Sequence, residues 1–150
     1  MKLLLVCNPG GHLSTMFGLQ DFWQSHSREW VTYQHFDSLK LLKGEQVHWV
    51  VMQEARMIFR AFINFFKALW IVYNSKPDLV VTTGASLSVP FVLSSKLLGV
   101  KSIFIESISR SEDLSLSGKI LYHFVDELYV QWPQCQASYP KVEYHGIVVS

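Results

Sequence analysis

"LLLVCNPGGHLSTM", Leu3 to Met16, runs from continuous apolar residues through a proline and two glycines straight into a helix-period segment. Leu and Val without polar alternation suit a strand covered on both faces, and such strands belong to parallel sheets. The glycines stand where the first strand hands over to the first helix. With so little side chain in the way, backbone N–H groups and the positive end of the helix dipole can face an anion, and phosphate is the natural guest. His12 at the helix start can donate to that phosphate or act as an acid or base. A plain tight turn followed by a surface histidine accounts for the same letters without a ligand.

The same alternation continues along the chain. Further strands are expected at Trp30 to Tyr33, Val47 to Met52, Leu79 to Thr82, Ser102 to Glu106 and Leu128 to Gln131, after the first at Leu3 to Cys7. Helices are expected at His12 to Gln24, Ser38 to Lys43, Arg56 to Asn74, Ser88 to Leu98 and Ser117 to Phe124. Strand and helix in strict turn predict an α/β fold, a doubly wound parallel sheet with helices on both faces. Right-handed crossovers then bring the loops after the strand C-termini to one edge, where ligands bind.

Three loops share that edge. The first is the Gly10-Gly11 turn with His12 and Ser14. The second, "TTGASLSVP" from Thr82 to Pro90, offers Gly84 to a ligand and Ser86 or Ser88 as helix N-caps, with Pro90 tolerated in the first turn. The third, "FIESISR" from Phe104 to Arg110, puts an acid at the carboxyl end of a parallel strand. Glu106 is placed to accept from a sugar hydroxyl or to orient His12, and Arg110 to pair with a phosphate or simply with Glu106. A dinucleotide fingerprint is missing: "PGGHLS" is no G-x-G-x-x-G, and "VTYQHFD" reaches Asp37 only well after the second strand.

At 150 residues the chain is expected to form one domain, residues 1–150. A formal net charge of +1 gives no electrostatic case for nucleic acid. Two cysteines make no disulfide framework and have no metal-ligand spacing, so no metal and no cofactor is expected. The N-terminal apolar run stops at Asn8, short of a signal peptide, and no run reaches the roughly 18 apolar residues of a spanning helix.

The segment "RMIFRAFINFFKALWIVYN", Arg56 to Asn74, has more grease than a crossover helix needs. At about 100° per residue, Arg56, Arg60, Asn64, Lys67 and Asn74 share one narrow stripe, and nearly everything else is apolar, including Phe62, Phe66 and Trp70. Neighbouring helices, a partner chain or a bilayer surface with the basic groups at anionic headgroups are the alternatives for covering it.

A glycine-His turn after strand one, a small-residue turn after strand four and a glutamate ending strand five resemble the acceptor half of GT-B glycosyltransferases. The likeness is nearest to the membrane-associated subunit of the two-part UDP-N-acetylglucosamine transferase of lipid-linked oligosaccharide synthesis, and to bacterial polysaccharide-synthesis relatives. The resemblance implies a non-autonomous transferase subunit at the cytoplasmic face of the membrane, attached peripherally. Its implied partners are a nucleotide-sugar-binding chain and a polyprenyl-diphosphate-sugar acceptor. It carries Gly10, Gly11, His12, Ser14, Gly84, Ser107 and Arg110 over as acceptor-site positions, with His12 or Glu106 as the base. Membrane contact falls to Arg60, Phe62, Phe66, Lys67 and Trp70. The apolar tail Ile147, Val148 and Val149 is expected to dock on the partner chain or to add an edge strand. A non-catalytic anchor that recruits and activates the catalytic chain is the rival expectation.

Overall fold

The computed structural model describes residues 1–51 and 58–148, with side chains at 58–61 left aside. Among the described residues, seven strands form one all-parallel sheet, β1 (Lys2–Val6), β2 (Ser27–Thr32), β3 (Val47–Trp49), β4 (Leu79–Thr82), β5 (Lys101–Ile105), β6 (Glu127–Val130) and β7 (Glu143–Tyr144). Their order is β3-β2-β1-β4-β5-β6-β7. Six strands lie where apolar runs place them, shifted by a few residues. The seventh is missed, because two exposed residues with no apolar pattern give no strand signal.

Period-two alternation divides the strand side chains between two cores. Leu3, Leu5, Val81 and Ile105 face α1 (Gly11–Phe17) and α2 (Gln20–Trp23), while Leu4, Val6 and Val80 face α4 (Ile58–Ser75) and α5 (Ser88–Leu98). Further along the second face, Phe104 and Leu128 pack with Val92 of α5 and Leu121 of α6 (Leu116–Leu121). Helices on both faces bear out the doubly wound reading. A short α3 (Phe36–Leu41) joins β2 to β3.

The first helix is not continuous to Gln24 as expected. It ends at Gly18, and α2 begins two residues later. The break folds Trp23 back so that its Nε1–H donates to the Met16 carbonyl at 2.7 Å and its ring meets Phe17 and Trp30 edge-on. A helix-end carbonyl and a buried indole N–H thereby satisfy each other. Neither Ser86 nor Ser88 caps α5. Ser88 instead shares a buried hydrogen bond with Thr82, 2.6 Å between hydroxyls, and the N-cap position is Leu87.

α4 settles part of the question of its surplus grease. Ala68, Ile71 and Val72 face the sheet, and the opposite side leaves Phe62, Phe66 and Trp70 60%, 62% and 64% exposed. Packing among the described residues therefore does not cover that face. Lys67 is half-buried beside it; Arg56 lies outside the described residues and Arg60 outside the described side chains. Among the described residues no helix is long and apolar enough to cross a membrane.

Candidate functional site

The strand order reverses between β1 and β4, which splays the loops after those two strands and opens a crevice at their carboxyl ends. A cavity of about 210 Å³ occupies it, lined by His12, Gly84, Glu106, Ser107, Arg110 and Leu116 among others. Loops one, four and five thus meet, as the parallel-sheet argument requires.

His12 is fixed by the loop after β4. Its Nδ1 lies 2.9 Å from the Thr83 carbonyl, which can only accept, so Nδ1 carries the proton and Nε2 of the neutral ring keeps its lone pair. The Thr83 hydroxyl returns a 2.6 Å bond to the His12 carbonyl. No protein group among the described residues bonds Nε2. Gly84 makes room for the ring: a Cβ there would stand 2.9 Å from Nδ1, and φ is +98°.

Glu106 ends β5 and is 2% exposed. Oε1 accepts from the Ser107 N–H and Oε2 from both the N–H and the hydroxyl of Ser115, each at 2.9 Å. The Ser115 hydroxyl in turn accepts from the Gly118 N–H and caps α6. A Cβ at Gly118 would collide with the same carboxylate, so the helix approaches only because glycine stands there. Glu106 is therefore a clamp closing the Ser107–Gly118 loop, and the expected alternative of an ion pair with Arg110 is not formed. Arg110 is exposed on the cavity wall, and its guanidinium has no protein partner among the described residues. Ser107 and Ser109 hydroxyls share a 2.9 Å bond beside it. The loop is also held from behind, by Trp132 Nε1 donating to the Ile108 carbonyl and the Cys135 thiol to that of Arg110.

The glycine turn departs from expectation. Asp37 reaches back from the start of α3, and its Oδ2 takes the Gly10 N–H at 2.6 Å. Burial pushes the Asp37 carboxyl up, but hydrogen bonds from His35, Gly10 and Ser38 outweigh it and hold the group below its usual range. An internal carboxylate thus occupies one of the backbone donors expected to meet a phosphate. Gly10, Gly11 and Ser14 line no part of the His12 cavity.

Asn8 is the residue that sequence reasoning missed. Its Oδ1 accepts from the Ala85 and Leu87 N–H groups and its own N–H donates to the Gly84 carbonyl, stitching the first loop to the fourth. In "CNPG" it reads as an ordinary turn residue, and nothing local announces a partner 77 positions away.

Both thiols are buried, and burial pushes each above its ordinary range, leaving neither nucleophilic. Among the described residues no cluster of three or more His, Cys, Asp or Glu groups could hold a metal ion. The C-terminal tail lies on its own sheet: Val148 packs against the first core and donates its N–H to Gln131, Ile147 is exposed, and Val149 lies outside the described residues. The added edge strand is β7, not the tail.

Comparison with solved structures supports the architecture. MurG of Acinetobacter baumannii superposes with a TM-score of 0.79 at 18% identity, over 100% of this chain and 46% of that one. The UDP-N-acetylglucosamine 2-epimerase of Rickettsia bellii gives 0.75 at 13%, over 97% of this chain and 44% of its own. At such identities the likeness concerns the fold. Among curated proteins, the rat "UDP-N-acetylglucosamine transferase subunit ALG14" is 41% identical over 98 residues, 61% of this chain and 45% of the relative. The Candida albicans subunit of the same name is 27% identical over 172 aligned positions, 99% of this chain and 78% of its own. This chain thus spans about half the length of the rat relative. These animal and fungal relatives lend no support to the narrower resemblance to bacterial polysaccharide synthesis. The family model for "Oligosaccharide biosynthesis protein Alg14 like" matches residues 23–148. With the fold and the match in agreement over most of its length, the chain belongs to the Alg14 family.

Proposed function

We propose that residues 1–150 form one acceptor-binding domain of a two-chain glycosyltransferase in lipid-linked oligosaccharide synthesis. The observation that carries this is the meeting, in one cavity at the switch point of the sheet, of an imidazole nitrogen and a guanidinium that no protein group among the described residues bonds. Arg110 pairs with the diphosphate of a polyprenyl-linked sugar, with the Ser107 and Ser109 hydroxyls beside it. His12 Nε2 takes the proton of the acceptor hydroxyl as its oxygen attacks the anomeric carbon of a nucleotide sugar held by the partner chain. The bond from that carbon to the nucleotide diphosphate breaks, and the diphosphate leaves with the electron pair. The names of the relatives favour UDP-N-acetylglucosamine as the donor.

Glu106 serves as the clamp of the loop and not as the base, since the bonds of its carboxylate all go to that loop. Gly84 gives the histidine ring its place. Because Asp37 holds the Gly10 N–H, the Gly10-Gly11 turn and Ser14 support the His12 helix and stand outside diphosphate contact. The exposed face of α4, Phe62, Phe66 and Trp70 with Lys67 alongside, lies on the cytoplasmic membrane surface and holds the domain near its lipid-linked substrate. Ile147 faces the partner chain.

A non-catalytic anchor that recruits and activates the partner is the second reading, favoured by the structural use of Glu106 and the exposed α4 face. Co-expression with a candidate nucleotide-sugar-binding chain, followed by transfer of labelled sugar to a lipid-linked acceptor, tests the first. Transfer is expected only with both chains present. Full transfer by this chain alone would refute the two-chain arrangement.

A further inference from the structure

Gln131 follows β6 and is 2% exposed. A buried amide is tolerated only where both its ends are bonded. Here Nε2 donates to the Glu106 carbonyl at 3.0 Å and Oε1 accepts from the Val148 N–H at 2.9 Å. The two partners belong to different parts of the molecule. Glu106 is the clamp of the cavity loop. Val148 lies in the tail, where His145, Gly146, Ile147 and Val148 form one wall of an apolar groove of about 350 Å³ over Val81 and Ile103.

An amide group is planar, so its oxygen and nitrogen cannot be aimed independently. Turning the oxygen to follow a displaced tail turns the nitrogen away from Glu106. The Glu106 backbone is also held by its own N–H to the Tyr129 carbonyl of β6 at 2.9 Å, so the Gln131 bond is the part of its mooring that answers to the tail. Because the Glu106 carboxylate carries the Ser107 and Ser115 N–H groups, movement of its backbone is passed to the wall of the cavity.

We propose that Gln131 is a positioning residue that ties the seating of the tail at 145–148 to the geometry of the Ser107–Gly118 loop, so that whatever lifts the tail loosens the cavity wall. Its meaning for catalysis rests on the reading of that cavity as the acceptor site; the mechanical tie does not.

Amide hydrogen exchange on the whole chain, read residue by residue by NMR, tests the tie with Gln131→Met, a chain stopped after Gly146, and the two combined. Either change alone should raise exchange at the Ser115 amide about tenfold, with the Val81 amide in β4 unchanged. The combined variant should exchange no faster than the single ones, because both break the same link. An unchanged Ser115 amide in the stopped chain, or effects that multiply in the combined variant, would overturn the tie. The stopped chain alters no residue of the loop, so it decides the matter even if Gln131→Met loosens the whole fold. Binding of a soluble sugar diphosphate carrying a short isoprenoid is measured in parallel and should weaken several-fold in the stopped chain. A native chain that binds no such compound refutes the acceptor reading and leaves the exchange result to decide the tie.

Discussion

Replacing Glu106 by glutamine keeps its volume and removes its charge, which separates a clamp from a base. The native carboxylate accepts three hydrogen bonds at 2.9 Å, from the Ser107 N–H and from the N–H and hydroxyl of Ser115. Glutamine offers one oxygen, so its amide must point at either the Ser107 or the Ser115 N–H, donor against donor. Losing a charge-assisted bond costs about 1.5–3 kcal/mol, and leaving a buried donor unpaired costs about 1–3 kcal/mol more. The expected destabilisation of about 3–5 kcal/mol corresponds to a melting temperature lowered by roughly 8–15 °C in a chain of this length. Scanning calorimetry measures it, with His12→Ala as a control that should stay within about 3 °C. A Glu106→Gln chain that melts with the native protein but supports no transfer would refute the clamp and restore Glu106 as a reacting group.

Gly84→Ala sets a methyl against the His12 ring, 2.9 Å from Nδ1, at a φ that disfavours any side chain; transfer should fall roughly tenfold or more while the complex still forms. Native-level transfer by this variant would show that the ring's place is unimportant. Phe62→Glu with Phe66→Glu removes about 1.5–3 kcal/mol of apolar transfer per ring, so binding to anionic liposomes should drop more than about a hundredfold with the melting temperature nearly unchanged; persistent binding would count against membrane contact through α4. Burial pushes the Glu29 carboxyl up, but hydrogen bonds from Lys2, Ser75 and His48 prevail and hold it at about 2. Its contribution, on the order of 3 kcal/mol, is present in full above the unfolded-state value of 4.5 and is lost as the pH falls from there towards 2. Urea titrations over that interval should show it, and a Glu29→Gln chain with the same acid slope would sink the assignment.

The sheet was legible because its strands are continuous apolar runs. Leu3 to Val6 and Leu79 to Thr82 need cover on both faces, and that demand alone implies parallel order with helices above and below. The shared edge of the loops followed, and with it the meeting of His12, Gly84 and Glu106; the strand order that puts a switch point there did not. What stayed hidden was long-range polar pairing, which has no period. Asp37 stands 27 residues from the Gly10 N–H that it takes, and Glu106 finds Ser115 across a loop whose composition reads only as polar. The break at Gly18 was lost for a different reason, since Leu19, Phe22 and Trp23 continue an apolar helical period across it. Exposure of the α4 face fits two of the three alternatives weighed for it, a partner chain and a bilayer surface, because surplus apolar area is visible in sequence whereas what lies opposite is not.

Turnover of His12→Ala in the assembled two-chain complex bears most directly on the cavity as a site of chemistry. Loss of a general base predicts that complex formation and melting temperature hold while transfer of labelled sugar to the lipid-linked acceptor falls by about 10²–10⁴-fold. Near-native turnover from that complex would contradict the account and leave the chain as an anchor.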